Sequence, residues 1–273
     1  PGLRYDISEL IRVAHHVLLA HGKSTRVIRD EAGTDVQVGF VVAPVNAVPS
    51  DDSEQNIEAA RKQMFAIHDR DLWTNGWWLD PLFFGRYPGG GEIFGDRMID
   101  MPAGDMEIIS QPIDYLGLNI YYGNIIGAGE DGSPQQLPFE PGAAMTGLNW
   151  YVVPEAMYWT PRFMYEKYKL PIYIMENGLS CRDWVSLDGR VHDQHRIDFM
   201  ARYLRCLRRA SDDGVDVRGY FYWSIMDNFE WAQGYKERFG LVHVDFSTRT
   251  RTLKDSAFFY RDIISSAGAI LES

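Results

Sequence analysis

The chain is poor in cysteine, has no excess of positive charge and contains no long hydrophobic run. Cys181 and Cys206 are its two thiols in 273 residues, and neither lies in a CxxC or metal-ligand spacing. That pattern supplies no disulfide framework and no ligand set for structural zinc. Two free thiols fit a reducing compartment, so a cytoplasmic location is expected. The 27 basic side chains are outnumbered by 38 acidic ones, a net charge of −11. Nucleic acid and anionic membrane surfaces both call for a basic face, so neither is expected as a partner. No run of 18 apolar residues occurs that could span a bilayer. No basic-then-apolar leading segment reads as a signal peptide. The chain opens on Pro1 rather than Met, and the expectation is that it lies inside a longer reading frame or follows processing.

Aromatic residues are plentiful, at 14%, with eight Trp and fifteen Tyr. They suit stacking surfaces as well as a large core. Apolar residues at Ile7, Leu10, Ile11, Ala14, Val17 and Leu18 follow the helical period and predict a helix over 7–30, with Gly22 near a first break and Gly33 beyond its end. His15, His16 and His21 do not fall on one face of it and are read as ordinary helix residues rather than metal ligands. A β-branched run over 36–43 reads as a buried strand. Helical patterns follow over 53–72, 154–168, 193–213 and 253–271, and further strands over 115–120, 170–175 and 217–224. The Gly- and Pro-rich stretch 127–146 reads as a long polar loop. Four strands alternating with helices are the signature of βα units around a parallel sheet. A complete eight-stranded barrel fits the length, but four good strands are found, not eight.

Three of the four strands end in polar or aromatic clusters. The second runs into Asn119, Tyr121 and Tyr122, the third into Glu176, Asn177 and Gly178, the fourth into Trp223, Ser224, Asp227, Asn228, Glu230 and Trp231. An isolated Glu after a strand is usually a surface charge. Functional groups past the C-terminal ends of several parallel strands are what an α/β-barrel active site requires.

The motifs then become specific. IYIMENG at 172–178, DYLGLNIYYG at 114–123 and YFYWSIMDNFEWAQGYKERFGLVHVDF at 220–246 resemble the strand-end motifs of glycoside hydrolase family 1. WWLDPLFFGRYP at 77–88 and HHVLLAHGKS at 15–24 resemble further segments of that family, in the same order. The resemblance runs from one end of the chain to the other. It implies an α/β fold that is the C-terminal half, strands five to eight, of a TIM barrel, as one domain over 1–273. It also implies a retaining β-glycosidase of the β-glucosidase type, acting on terminal β-linked sugars without cofactor or metal. Such enzymes use two carboxyl groups about 5–5.5 Å apart, one attacking the anomeric carbon, the other protonating the leaving oxygen and then activating water.

By this resemblance Glu176 is the nucleophile and Tyr121 the tyrosine that donates a hydrogen bond to it. A nucleophilic carboxylate must be ionised, so its surroundings should offer donors rather than an apolar pocket. Asn119 helps order the cleft. Glu230 and Trp231 match the pair that binds the outer hydroxyls of the glycone, Trp223 offers a flat apolar surface to the ring, and Phe239 walls the same pocket. Trp150, in LNWYVVPEAMY, matches the aglycone platform, while Asp227 and Asn228 are expected to fix their loop. Glu230 followed by Trp231 favours a neutral sugar over a 6-phosphosugar, which a carboxylate would repel.

The chain departs from the family pattern at three places. Met175 stands where the family usually has Thr, and Ile120 where it usually has Tyr. The Asn-Glu-Pro motif that carries the acid/base glutamate does not occur. The expected partners are therefore a β-glycoside substrate and a complementary N-terminal half-barrel chain supplying that glutamate. The alternative is a non-catalytic sugar-binding or self-associating half-barrel.

Overall fold

The computed structural model describes residues 3–33 and 35–272. The strands, in chain order, are β1 (Gly39–Val42), β2 (Ala47–Pro49), β3 (Tyr115–Asn119), β4 (Asn124–Ala128), β5 (Pro134–Gln136), β6 (Ile172–Asn177), β7 (Val217–Tyr222), β8 (Val242–Val244) and β9 (Arg251–Leu253). The helices are α1 (Ile7–Ala32), α2 (Glu54–Met64), α3 (Asn75–Phe84), α4 (Asp105–Ile109), α5 (Ala156–Tyr168), α6 (Gln194–Asp212) and α7 (Asp255–Ser265).

The four strands read from the sequence form one parallel sheet in the order β1-β3-β6-β7. Its two faces differ. Leu116, Leu118, Ile120, Ile172 and Ile174 are fully buried among the helices. The opposite face alternates large and small residues. A side chain at Gly117 would strike Met175 and Val41, one at Gly219 would strike Tyr173, and one at Gly39 would strike the Tyr115 ring. The glycines thus leave room for the large neighbours of a curved inner face. That face is open at both sheet edges: Val41 on β1 is 42% exposed and Phe221 on β7 52%.

Local chemistry explains most boundaries. A capping box starts α1: Asp6 accepts from the Glu9 amide at 2.9 Å, and Glu9 accepts from the Asp6 amide at 3.2 Å. The helix runs straight through Gly22, correcting the expected break. Any Cβ there would lie 1.9 Å from the Ile108 carbonyl oxygen, so Gly22 permits a close helix-to-chain contact. His15 is buried and bridges Tyr87 at 2.9 Å and Asp105 at 3.0 Å, tying α1 to α4, and no metal-binding group of His, Cys, Asp and Glu occurs among the described residues.

Three further expectations are corrected. The helix expected over 53–72 stops at Met64, because Asn75 takes the Met64 carbonyl at 2.7 Å and turns the chain. The expected loop 127–146 contains a hairpin, β4 with β5, which joins β2 in a second, three-stranded sheet. Its turn closes through Gly129 and Gly132, the latter at φ 74°. The last helix is shorter than expected: β9 occupies 251–253, and α7 ends at Ser265.

Candidate active site

The ends of β3, β6 and β7 meet, and backbone irregularities there turn side chains toward the inner face. Asn119 pairs with Glu176 across a register shift between Leu118 and Asn119, and another shift lies between Ile174 and Asn177. Asn177, fully buried, knits the three ends together. Its amide donates to the Ile120 carbonyl at 2.7 Å, its side-chain oxygen accepts from the Tyr220 hydroxyl at 2.8 Å, and its carbonyl accepts from the Trp223 amide at 2.9 Å. Gly178 has to be glycine, since a Cβ would lie 1.9 Å from the Trp223 carbonyl oxygen.

Within this frame the Tyr121 hydroxyl donates to Glu176 Oε2 at 2.6 Å. This is a short, charge-assisted bond of the stronger kind. Burial, then the hydrogen bond and charge of Glu176, push the Tyr121 hydroxyl far above the ordinary phenol range. It therefore remains a donor. Tyr121 is itself held from behind: the buried Tyr203 hydroxyl of α6 donates to the Tyr121 carbonyl at 3.0 Å and accepts from the Val153 amide at 2.9 Å. Sequence reading missed Tyr203. The available signal was a tyrosine on the apolar stripe of α6, whose hydroxyl needs a buried partner.

The segment after β7 carries the other groups. Burial raises the Glu230 carboxyl above the ordinary range; a hydrogen bond from Trp223 opposes this, and the charges of Glu176 and Glu237 add to it. Trp231 stands out at 81% exposure with a left-handed backbone, φ 41°. Phe239 is buried, and its ring lies 6.0 Å from that of Tyr121 and 6.4 Å from that of Trp150. Trp150 also packs against Tyr121 and Tyr122, at 5.4 and 5.3 Å between ring centres. Beside it lies a cleft of about 390 Å³, bordered by Tyr122, Gln136, Phe139 and Asn149. Asn119 Oδ1 is buried without a hydrogen-bond partner.

Asp227 anchors the loop, as expected. It accepts from the Gly240 amide at 3.0 Å, the Val244 amide at 3.3 Å, Arg238 at 2.6 Å and Lys254 at 2.8 Å. Asn228 donates to Ser224 at 3.0 Å. The structure thus gathers Asn119, Tyr121, Trp150, Glu176, Trp223, Glu230 and Phe239 around one centre through these contacts, while Trp231 projects from the Glu230 loop. Met175 packs toward Gly117 on the inner face beneath it.

The chain as a whole has counterparts among known proteins. A family model described as glycosyl hydrolase family 1 matches residues 1–269. The chain is 38% identical over 271 residues to a 1,4-beta-D-glucan glucohydrolase of Thermotoga neapolitana, covering 98% of this chain and 59% of the relative. It is 37% identical to beta-glucosidase A of Thermotoga maritima, with the same coverage of 98% and 59%. A solved structure of a Thermotoga maritima beta-glucosidase in complex with deoxynojirimycin superposes with a TM-score of 0.82 at 36% identity, covering 98% of this chain and 59% of that one. The chain therefore spans about 59% of the length of the curated relatives it matches.

Proposed function

From the premise that this chain belongs to glycosyl hydrolase family 1, we propose that it is the nucleophile-bearing half of a retaining β-glucosidase. The observation that carries the reading is the 2.6 Å hydrogen bond from Tyr121 to Glu176, at the joined ends of three barrel strands. In this reaction Glu176 attacks the anomeric carbon of a terminal β-glucoside and the aglycone leaves, giving a glycosyl–enzyme that water then hydrolyses. The Tyr121 hydroxyl keeps the carboxylate oriented while it is charged. Glu230 and Trp231 bind the outer glycone hydroxyls, Trp223 and Phe239 line the ring, and Trp150 carries the aglycone. Asn119, paired with Glu176 at the end of β3, orders the cleft. Nothing in this chemistry requires a cofactor.

The acid/base carboxyl comes from a complementary half-barrel, strands one to four, with this chain forming a single domain of strands five to eight. Support lies at β1. Between α1 and β1 runs an apolar groove of about 620 Å³ lined by Val13, Val17, Val41, Val45, Leu72 and Trp73. Val13, Val17 and Trp73 are 50%, 47% and 61% exposed. An uncovered apolar groove beside an unpaired parallel edge is a pairing surface. Among the described residues no helix is long and apolar enough to cross a membrane.

The test is an intact-mass spectrum after incubation with 2,4-dinitrophenyl 2-deoxy-2-fluoro-β-glucoside, whose leaving group barely needs the acid. A one-sugar mass increase mapping to Glu176 is expected. No adduct, with Glu230 and Tyr121 intact, overturns the reading.

A further inference from the structure

A buried ionic cluster lies outside the groups that touch substrate. Three cations, Arg196, Arg238 and Lys254, interleave with three carboxylates, Asp183, Asp193 and Asp227. Lys254, Arg196 and Asp227 are shut off from solvent at their side chains. Lys254 is the cross-tie: its ammonium donates to Asp183 at 2.6 Å and to Asp227 at 2.8 Å. Asp183 belongs to the loop that leaves β6 just after Glu176. Asp227 anchors the loop that carries Glu230, Trp231 and Phe239. Lys254 itself comes from a third place, the residue ahead of α7, where its backbone amide also donates to the Leu241 carbonyl at 3.0 Å. Arg196 of α6 spans the same two loops, donating to Asp183 at 2.7 Å and to the Arg238 carbonyl at 2.9 Å.

We infer that Lys254 is a positioning residue for catalysis: its bond to both carboxylates fixes the Glu230 loop relative to the strand that carries Glu176. The inference rests on the function proposed above for those two glutamates. The two loops share few other ties. Besides the Arg196 bonds, the Cys181 amide donates to the Arg238 carbonyl at 3.1 Å. The long 224–241 excursion buries its apolar side chains only near its end, at Phe239 and Leu241, and exposes Ile225, Phe229, Trp231 and Tyr235. The stretch around Glu230, with its apolar side chains exposed, depends on its polar anchors. Among these groups Arg196 Nε is buried without a partner, while Lys254 and the aspartates are paired; removing one partner of a buried ionic network leaves charges uncompensated.

The experiment compares the 273-residue chain with Lys254→Met and with the pair Lys254→Met/Asp183→Asn, which restores charge balance but not the tie. Hydrogen exchange followed by mass spectrometry is read over 178–183 and 226–242, with 115–119 as an internal reference. In Lys254→Met, exchange over both loops should rise by about tenfold or more, and that of 115–119 should not change. The charge-balanced pair should recover thermal stability yet leave the loops fast. With the fluorosugar reagent, the concentration giving half-maximal labelling should rise about tenfold in both variants. The limiting rate should change less, because Glu176 remains on β6. Full recovery of loop protection in the charge-balanced pair overturns the inference and leaves Lys254 a mere charge neutraliser. A change confined to 252–256 overturns it as well. Should Lys254→Met not fold, the pair alone decides by the same two readouts. An unmodified chain that takes no label counts against the proposed function, while the exchange comparison still decides the positioning role.

Discussion

The two faces of the parallel sheet meet very different surroundings. On the helix side, Leu118 and Ile174 are fully buried and every strand contributes to one continuous core. On the inner side, Val41 and Phe221 are about half exposed. The strand ends take an intermediate place: Asn177, Tyr203 and Asp227 hold the site from behind, Glu230 is half-buried and Trp231 faces outward. The surroundings of Glu176 are thus completed within this chain. The walls are supplied by β3, β6, β7 and the loop after β7. What remains uncovered is the barrel lumen and the β1 groove.

The largest expected effect falls on the finished side. Glu176→Gln should lower labelling by the fluorosugar reagent by at least about 10³-fold while the chain melts unchanged, because the substitution keeps shape and removes the carboxylate proposed to attack. Equal labelling in this variant would move the attacking group elsewhere. Next comes a direct contrast of the two faces. Leu118→Ala should cost about 2–5 kcal/mol in denaturant unfolding. Val41→Ser on the neighbouring strand should cost under about 0.5 kcal/mol in the isolated chain and more once a complementary half-barrel is bound. Equal costs in the isolated chain would break the comparison.

Tyr121→Phe should slow labelling by roughly 10–100-fold, the size of a hydrogen bond to a charged group. Melting should move little, since the ring contacts with Trp150 and Phe239 survive. The smallest effect concerns Glu230. Its carboxyl is raised in the folded chain, chiefly by burial, so the folded state holds a proton that the unfolded state releases. That contribution is present in full below the unfolded value of 4.5 and is lost as pH rises through the folded one. Glu230→Gln should therefore raise the melting temperature at pH 7 by about 1–2 °C, discounted for its partial exposure, and the gain should vanish toward pH 4. A gain that grows with acidification would contradict the sign.

Much of this was legible in the sequence. All four strands of the main sheet follow from their apolar runs, and Asn119, Tyr121, Glu176, Trp223 and Glu230 stand in polar or aromatic clusters just after them, whereas Trp150 and Phe239 are singled out only by the family resemblance. The positions less legible share a physical cause. The hairpin of β4 and β5 lies in a segment whose glycines and prolines signal turns, and its short strands bury few side chains. Gly22 looks like a helix break because only the packing of α1 against Ile108 reveals why no side chain fits. Lys254 carries no local signal at all: it is buried by two aspartates that are 71 and 27 residues distant in the chain.

The central claim is that Glu176 attacks the anomeric carbon from the face opposite the leaving group. The most direct measurement is azide rescue of Glu176→Gly with 2,4-dinitrophenyl β-glucoside, a substrate that needs little acid assistance. Azide entering the emptied site should restore dinitrophenolate release and yield the α-glucosyl azide, formed with a single inversion. A β-glucosyl azide, or no rescue, would contradict the assignment of Glu176 as nucleophile.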